Sequence, residues 1–149
     1  MQTALIGPWE FEMPEGLFRK ENESSNSYFE NEEGTLGLYV KSIELSEPKP
    51  SARHLADHIQ QVHLGGFTEG VSNTWETVDQ RLLIDGELAR SALDLYDQSA
   101  NYRVLSLVVA TVEAAVQVTI HDYWCENYHA AQGRFSNLEE SIVKVASAA

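Results

Sequence analysis

Hydrophobic and polar residues alternate along two adjoining runs between Tyr102 and Tyr123, the least charged part of the chain. The aliphatic positions that share one face of these runs are Leu105, Leu107, Val109, Val116, Val118 and Ile120. Alternation with period two in Val, Ile and Thr predicts a strand with one buried face. Two such runs that are separated by a few residues predict an antiparallel hairpin.

Weaker alternation predicts further strands on the N-terminal side of this hairpin. They cover residues 5–13, 18–23, 28–31, 36–45, 74–84 and 88–96. Asp85-Gly86 is the clearest turn signal between two of them. A small bulge is predicted at Lys41 and Ser42, and Arg90, Asp94 and Asp97 are expected to be exposed.

Helical spacing occurs twice. Ser51 is a candidate N-cap for a helix that follows Pro50, carries Leu55, Ile59 and Val62 on its apolar side, and ends at Gly65-Gly66. The second helix is predicted over residues 124–146. Its apolar stripe is Trp124, Tyr128, Ala131, Phe135, Leu138, Ile142 and Val145.

This order of elements predicts one α+β domain over residues 1–149, an antiparallel sheet with a helix on each apolar face. The pattern resembles the PsbP-like fold, an α/β/α sandwich shared by PsbP of photosystem II and a Ran-binding nuclear-import factor. The segments that carry the resemblance are PWEFEMPEG (8–16), YFENEEGTLGLYVKSIEL (28–45), VTIHDYW (118–124) and FSNLEESIVKV (135–145).

Acidic residues outnumber basic residues by 23 to 10, which gives a formal charge of −13. Ten of these acids lie within residues 10–47. Such a charge repels phosphate backbones and anionic lipid, so binding to nucleic acid or to a membrane surface is not expected, whereas a basic protein partner is. The simpler interpretation is that the acids only keep the protein soluble.

The N-terminal residues lack the basic start and apolar stretch of a signal peptide, and no run reaches the length of a membrane helix. A cytoplasmic location is therefore expected. The single cysteine, Cys125, excludes an intramolecular disulfide.

Two groups of residues are candidates for chemistry. His54 and His58 have the i, i+4 spacing of metal ligands on a helix, but a third ligand is missing and no metal or cofactor is expected. Cys125 lies between His121 and His129 in the sequence. A cysteine and a histidine could act as the nucleophile and the base of a cysteine-dependent hydrolase. Its neighbours are acidic and would raise the thiol pKa, so we expect no enzyme activity.

The acids of the first half are the stronger candidates for function. Glu30, Glu32 and Glu33 are predicted at a hairpin tip beside Tyr28, and Glu21 and Glu23 precede them. We expect these residues to bind a basic protein partner. The resemblance to small bacterial members of the fold implies an immunity protein that neutralises a secreted toxin of the type VI kind. An Eag-type chaperone of a type VI effector is the alternative.

Overall fold

The computed structural model describes residues 2–20, 27–68 and 74–145. The strands in these residues are β1 (Gln2–Ile6), β2 (Trp9–Met13), β3 (Leu17–Lys20), β4 (Ser27–Asn31), β5 (Leu36–Glu44), β6 (Glu76–Asp85), β7 (Leu88–Asp97), β8 (Tyr102–Ala110), β9 (Ala114–Asp122) and β10 (Val143–Lys144). The helices are α1 (Ala52–Thr68), α2 (Tyr128–Ala131) and α3 (Ser136–Ser141).

Seven strands form one antiparallel sheet in the order β3-β4-β5-β9-β8-β7-β6. The predicted hairpin is confirmed at its centre, since β8 and β9 pair from Arg103↔Asp122 to Ala110↔Ala115. The prediction that β8 buries only one face was wrong, because every residue from Arg103 to Ala110 is buried. The strand is covered on both sides.

Helix α1 covers part of one face of this sheet. Leu55 and Ala56 pack with Val108, Ala110 and Ala115. The Ser51 cap is confirmed, since the His54 backbone amide donates to Ser51 Oγ at 3.0 Å. Two other predictions for α1 were wrong. The helix continues through Gly65-Gly66 to Thr68, and Val62 is 66% exposed, because the side that docks on the sheet carries the polar Gln60 instead.

The other face of the large sheet packs against a second, three-stranded sheet in the order β1-β2-β10. Trp9 and Phe11 of β2 are buried there together with Phe135, Leu138 and Ile142 of the C-terminal segment. Apolar side chains from both sheets and from this segment therefore form the main core.

The predicted helix over 124–146 was wrong. The segment instead forms the short helices α2 and α3, with Gly133 between them, and ends in β10. Strand β10 pairs with β2 through Val143↔Glu10 and Lys144↔Trp9, so extended backbone completes the small sheet where a helix was expected. Within the described residues, a long helix therefore covers only one face of the large sheet. The small sheet and the two short helices cover the other face.

Two local predictions also need correction. The strand expected over 5–13 is the hairpin of β1 and β2, which turns at Gly7 with φ of 57°. Pairing of β5 with β9 runs without a break through Lys41 and Ser42, so the predicted bulge is absent from this pair of described strands. The irregular register lies in β6 instead, between Thr77 and Asp79.

None of the helices in the described ranges combines the length and the apolar character that a membrane span requires.

Candidate functional site

A polar and aromatic groove lies beside α1, on the face of the large sheet that this helix covers only in part. We name it the tyrosine groove; its volume is about 420 Å³ and its lining residues are Tyr39, Lys41, His63, Gln117, Thr119, His121 and Tyr123. Most of these side chains alternate along β5 and β9. Between them, Leu38, Val40, Val118 and Ile120 bury the opposite face in the main core. The sequence therefore places polar and aromatic groups on one face of two central strands.

Aromatic rings surround His121 in the groove. Its ring lies edge-on to Tyr39 at 5.4 Å between centroids and is stacked with Tyr123 at 5.9 Å. The hydroxyl of Tyr102 lies 2.5 Å from His121 Nδ1. Tyr28 of β4 extends the aromatic surface, since its ring centroid is 4.4 Å from that of Tyr39.

Hydrogen bonds between α1 and the sheet fix the opposite wall. His63 Nδ1 lies 2.9 Å from Ser106 Oγ and 3.1 Å from Gln117 Nε2. Gln60, one turn earlier and 1% exposed, donates to the Ser106 carbonyl at 2.9 Å and accepts from Ser106 Oγ at 2.9 Å. Buried polar groups that are all bonded hold a fixed geometry, so His63 is held at the edge of the groove.

Burial determines the charge of the groove. It lowers the pKa of His121 to about 4, and the nearby charge of His63 contributes to the same shift. Burial also lowers the pKa of His63 and raises the pKa of Tyr102. Both imidazoles and the phenol are therefore neutral at pH 7, which leaves Lys41 as the charged residue of the lining.

The acidic residues predicted to bind a partner lie on the β4–β5 hairpin at one end of the groove. The Tyr28 hydroxyl donates to Glu30 Oε2 at 2.8 Å, while Glu32 and Glu33 are exposed at the tip. The structure thus brings Tyr28 and Glu30 to the tyrosine groove. Glu21 and Glu23 lie outside the described residues. That these acids bind a partner stays a prediction.

Exposed aromatic residues lie next to this hairpin. The Tyr123 backbone amide donates to the Thr35 carbonyl at 2.9 Å, which ties the end of β9 to the hairpin. Tyr123 is 40% exposed and Trp124 is 69% exposed. Sequence reasoning missed Trp124, because its spacing matched the apolar stripe of the predicted helix. The acidic turn around it, with Asp122 and Glu126 close in sequence, was the available signal.

Cys125 is far from the state of an activated nucleophile. The residue is 3% exposed, and burial and the charge of Asp122 raise the pKa of its thiol. The His121 ring packs in the tyrosine groove, and the His129 ring contacts Tyr128 at 6.0 Å. His54 and His58 are exposed on α1, and across 2–20, 27–68 and 74–145 no three His, Cys, Asp or Glu side chains are grouped to hold a metal ion.

The expectation that Asp94 and Asp97 are exposed was wrong. Asp94 is 2% exposed and receives hydrogen bonds from Arg103 Nε at 2.9 Å, from Arg103 Nη2 at 2.8 Å and from the Tyr128 hydroxyl at 2.8 Å. Arg103 Nη1 also donates to the Ala131 carbonyl at 2.8 Å. This buried ion pair attaches α2 to the large sheet and has a structural role.

Comparison with known proteins agrees with this architecture. No protein-family model matches the chain, and no curated protein matches it in sequence. Among solved structures, the solution structure of cyanobacterial PsbP (CyanoP) from Synechocystis sp. PCC 6803 is similar, with a TM-score of 0.69 and 12% sequence identity. The match covers 96% of this chain and 91% of CyanoP. The chain therefore has an α+β, PsbP-like fold, and an identity this low shows the fold alone.

Proposed function

We propose that this protein acts by binding another protein, without catalysing a reaction, and that the partner contacts the β4–β5 hairpin and the adjoining Tyr123–Trp124 segment. The observation that carries the proposal is the placement of exposed acids beside exposed aromatic residues. Glu32 and Glu33 lie on a hairpin that is bonded through Thr35 to the chain just before Trp124. Trp and Tyr are the residues most often found at the energetic centre of protein interfaces.

The charge of the chain indicates the chemistry of the partner. A net charge of −13 attracts a basic surface from a distance and speeds its association, while the aromatic residues supply contact area once the surfaces meet. In its specific form, the proposal is a cytoplasmic bacterial immunity protein that neutralises a basic toxin, of the type secreted by type VI systems.

For the fold, we propose the α/β/α layering of PsbP-like proteins. Helix α1 packs on β7 and β8 as one outer layer, and α3 packs on β2 as the other.

A protection experiment tests the immunity role. The product of a neighbouring candidate toxin gene is expressed in cells with and without this protein, and growth and co-purification are measured. We expect growth to be restored and the two proteins to purify together. Cells that die equally with and without this protein would rule out the immunity role.

The Eag-type chaperone is the alternative form of the same binding proposal, and it requires an apolar groove that can hold a membrane helix. A cavity of about 700 Å³ lies between the β2–β3 turn and α3 and includes the exposed Phe18. Glu12, Glu15 and Arg134 also line it. Burying those charges against a membrane helix is costly, so the lining favours the immunity proposal.

A cysteine-dependent hydrolase is the alternative from another class, and thiol labelling tests it. Because Cys125 is buried, we expect a thiol reagent to modify the native protein roughly tenfold or more slowly than the protein unfolded in urea. Equal rates in the two states would mean that Cys125 is accessible and would restore the hydrolase as a candidate.

A further inference from the structure

We propose that the tyrosine groove binds a small molecule that carries an aromatic ring and one anionic group. This site adjoins the surface proposed to bind a protein partner and shares Tyr123 with it, but the proposal does not depend on that protein-binding role. Its volume of about 420 Å³ lies within the range of small-molecule sites.

Several polar groups of the groove form no hydrogen bond or ion pair with other described residues. His121 contacts Tyr102 through Nδ1, and its second ring nitrogen has no hydrogen-bond partner within the described ranges. The Tyr39 hydroxyl likewise has no hydrogen-bond partner within the described ranges. Lys41 forms no ion pair with any described side chain. A few convergent polar groups beside aromatic walls are the usual composition of a ligand site.

Strand pairing orders these groups along the groove. Gly37 pairs with His121, Tyr39 with Thr119, and Lys41 with Gln117. Residues two apart on a strand are about 7 Å apart, so His121 and Lys41 lie at opposite ends of a track about 13 Å long, with Tyr39 between them. The residue order therefore defines an aromatic end and a cationic end.

Charge sets the orientation of the ligand. Lys41 is the charged residue of the lining, since the histidines are neutral. Glu30 bonds to Tyr28 beside the aromatic end, and its charge also acts on Tyr123. An anionic group is repelled at the aromatic end and attracted at the Lys41 end. The ring then lies on Tyr39, His121 and Tyr123, where aromatic surfaces pack favourably.

Titration of the purified protein with 3-phenylpropionate tests the proposal by ¹⁵N NMR chemical shifts. This probe has a ring, a two-carbon spacer and a carboxylate. The matched controls are 3-phenylpropan-1-ol, which keeps the ring without the charge, and propionate, which keeps the charge without the ring. A ligand of this size binds an open groove in about the millimolar range.

We expect 3-phenylpropionate to shift the amides of Tyr39, Lys41, Thr119 and His121, with each control binding at least tenfold more weakly. Failure of 3-phenylpropionate to shift these amides, or equal binding of either control, would overturn the proposal. Binding of the probe elsewhere, with these four amides unmoved, would overturn it as well.

A matched pair of lysine variants assigns the cationic end. Lys41→Gln should weaken 3-phenylpropionate at least tenfold and should leave 3-phenylpropan-1-ol unchanged, while Lys41→Arg should restore most of the affinity. Lys49→Gln removes the same charge near Val112, to whose carbonyl its backbone amide donates, and should bind as the wild type does. Equal weakening by Lys41→Gln and Lys49→Gln would contradict a specific contact.

Discussion

At the scale of single residues, the buried pair of Asp94 and Arg103 has the largest expected effect on stability. Their side chains are 2% and 1% exposed, so neither charge has water as an alternative partner. We predict that Asp94→Asn lowers the free energy of unfolding by about 3 kcal/mol or more, because Arg103 keeps a buried charge without its counter-ion. Urea unfolding followed by circular dichroism measures the loss.

The exposed pair of Arg81 and Asp79 is the matched control for this prediction. Their side chains are 51% and 36% exposed, and Arg81→Gln should cost under about 1 kcal/mol. If the losses for Asp94→Asn and Arg81→Gln are equal, the buried pair is not what holds α2 on the sheet.

His121 makes stability depend on pH. Its pKa is about 4 in the folded protein, below the ordinary value of 6.5, so the unfolded chain binds more protons between these values. Stability should therefore fall as pH decreases from about 6.5 to about 4, by at most about 3 kcal/mol from this residue. His63, with its pKa also lowered, adds in the same direction.

Urea unfolding at a series of pH values measures this dependence. His121→Gln should flatten the curve in that window, whereas replacement of the exposed His54 should leave it unchanged. A wild-type stability that is constant from pH 6.5 to pH 4 would show that His121 is not held in its neutral form.

Several residue environments could not be predicted from the sequence. The sequence predicted Asp94 and Asp97 to be exposed, but the C-terminal segment covers the side of β7 that carries Asp94. Trp124 matched a helical stripe, but its segment leaves the sheet before a helix begins. Both errors arise because burial is decided by segments distant in sequence, which local periodicity does not report.

At the scale of elements, α1 is attached to the sheet through polar contacts as well as apolar ones. Gln60 bonds to Ser106 through its amide nitrogen and its amide oxygen. We predict that Gln60→Ala lowers the free energy of unfolding by about 2 kcal/mol, since the buried hydroxyl and the buried carbonyl of Ser106 each lose a hydrogen bond to Gln60. Amide hydrogen exchange should rise in α1 more than in β5 and β9.

Gln61, which follows Gln60 but is exposed, provides the control. Gln61→Ala should change neither stability nor exchange beyond about 0.5 kcal/mol. Equal exchange in α1 of both variants would mean that the apolar contacts of Leu55 and Ala56 alone dock the helix.

The central strands were predictable because their order follows local rules. Asp85-Gly86 marks the turn between β6 and β7. The alternation of apolar and polar residues in β8 and β9 is long enough to specify both strands. The C-terminal segment was not predictable, because its helical spacing competes with pairing of Val143 and Lys144 to β2. The tyrosine groove was also missed. It exists because α1 covers β7 and β8 and leaves β5 and β9 partly open, which is a property of the packing.

At the scale of the whole molecule, the main core is spatially separate from the two surfaces that we propose as binding sites. The main core lies between the two sheets, while the acidic hairpin and the tyrosine groove lie away from it. The PsbP-like architecture was recognisable from segments spread over the chain, and the similarity to CyanoP agrees with it. The binding role could be reached only as a hypothesis, because one fold supports many functions.

The most direct test of the proposed function is the affinity of the purified protein for the product of a neighbouring candidate toxin gene, measured by calorimetry. The double variant Glu32→Lys/Glu33→Lys should bind at least tenfold more weakly, and the difference should shrink at high salt. Glu44→Lys/Glu47→Lys makes the same charge change at exposed positions toward the other end of β5 and should bind nearly as the wild type does. Equal affinity of both double variants and the wild type would contradict the account.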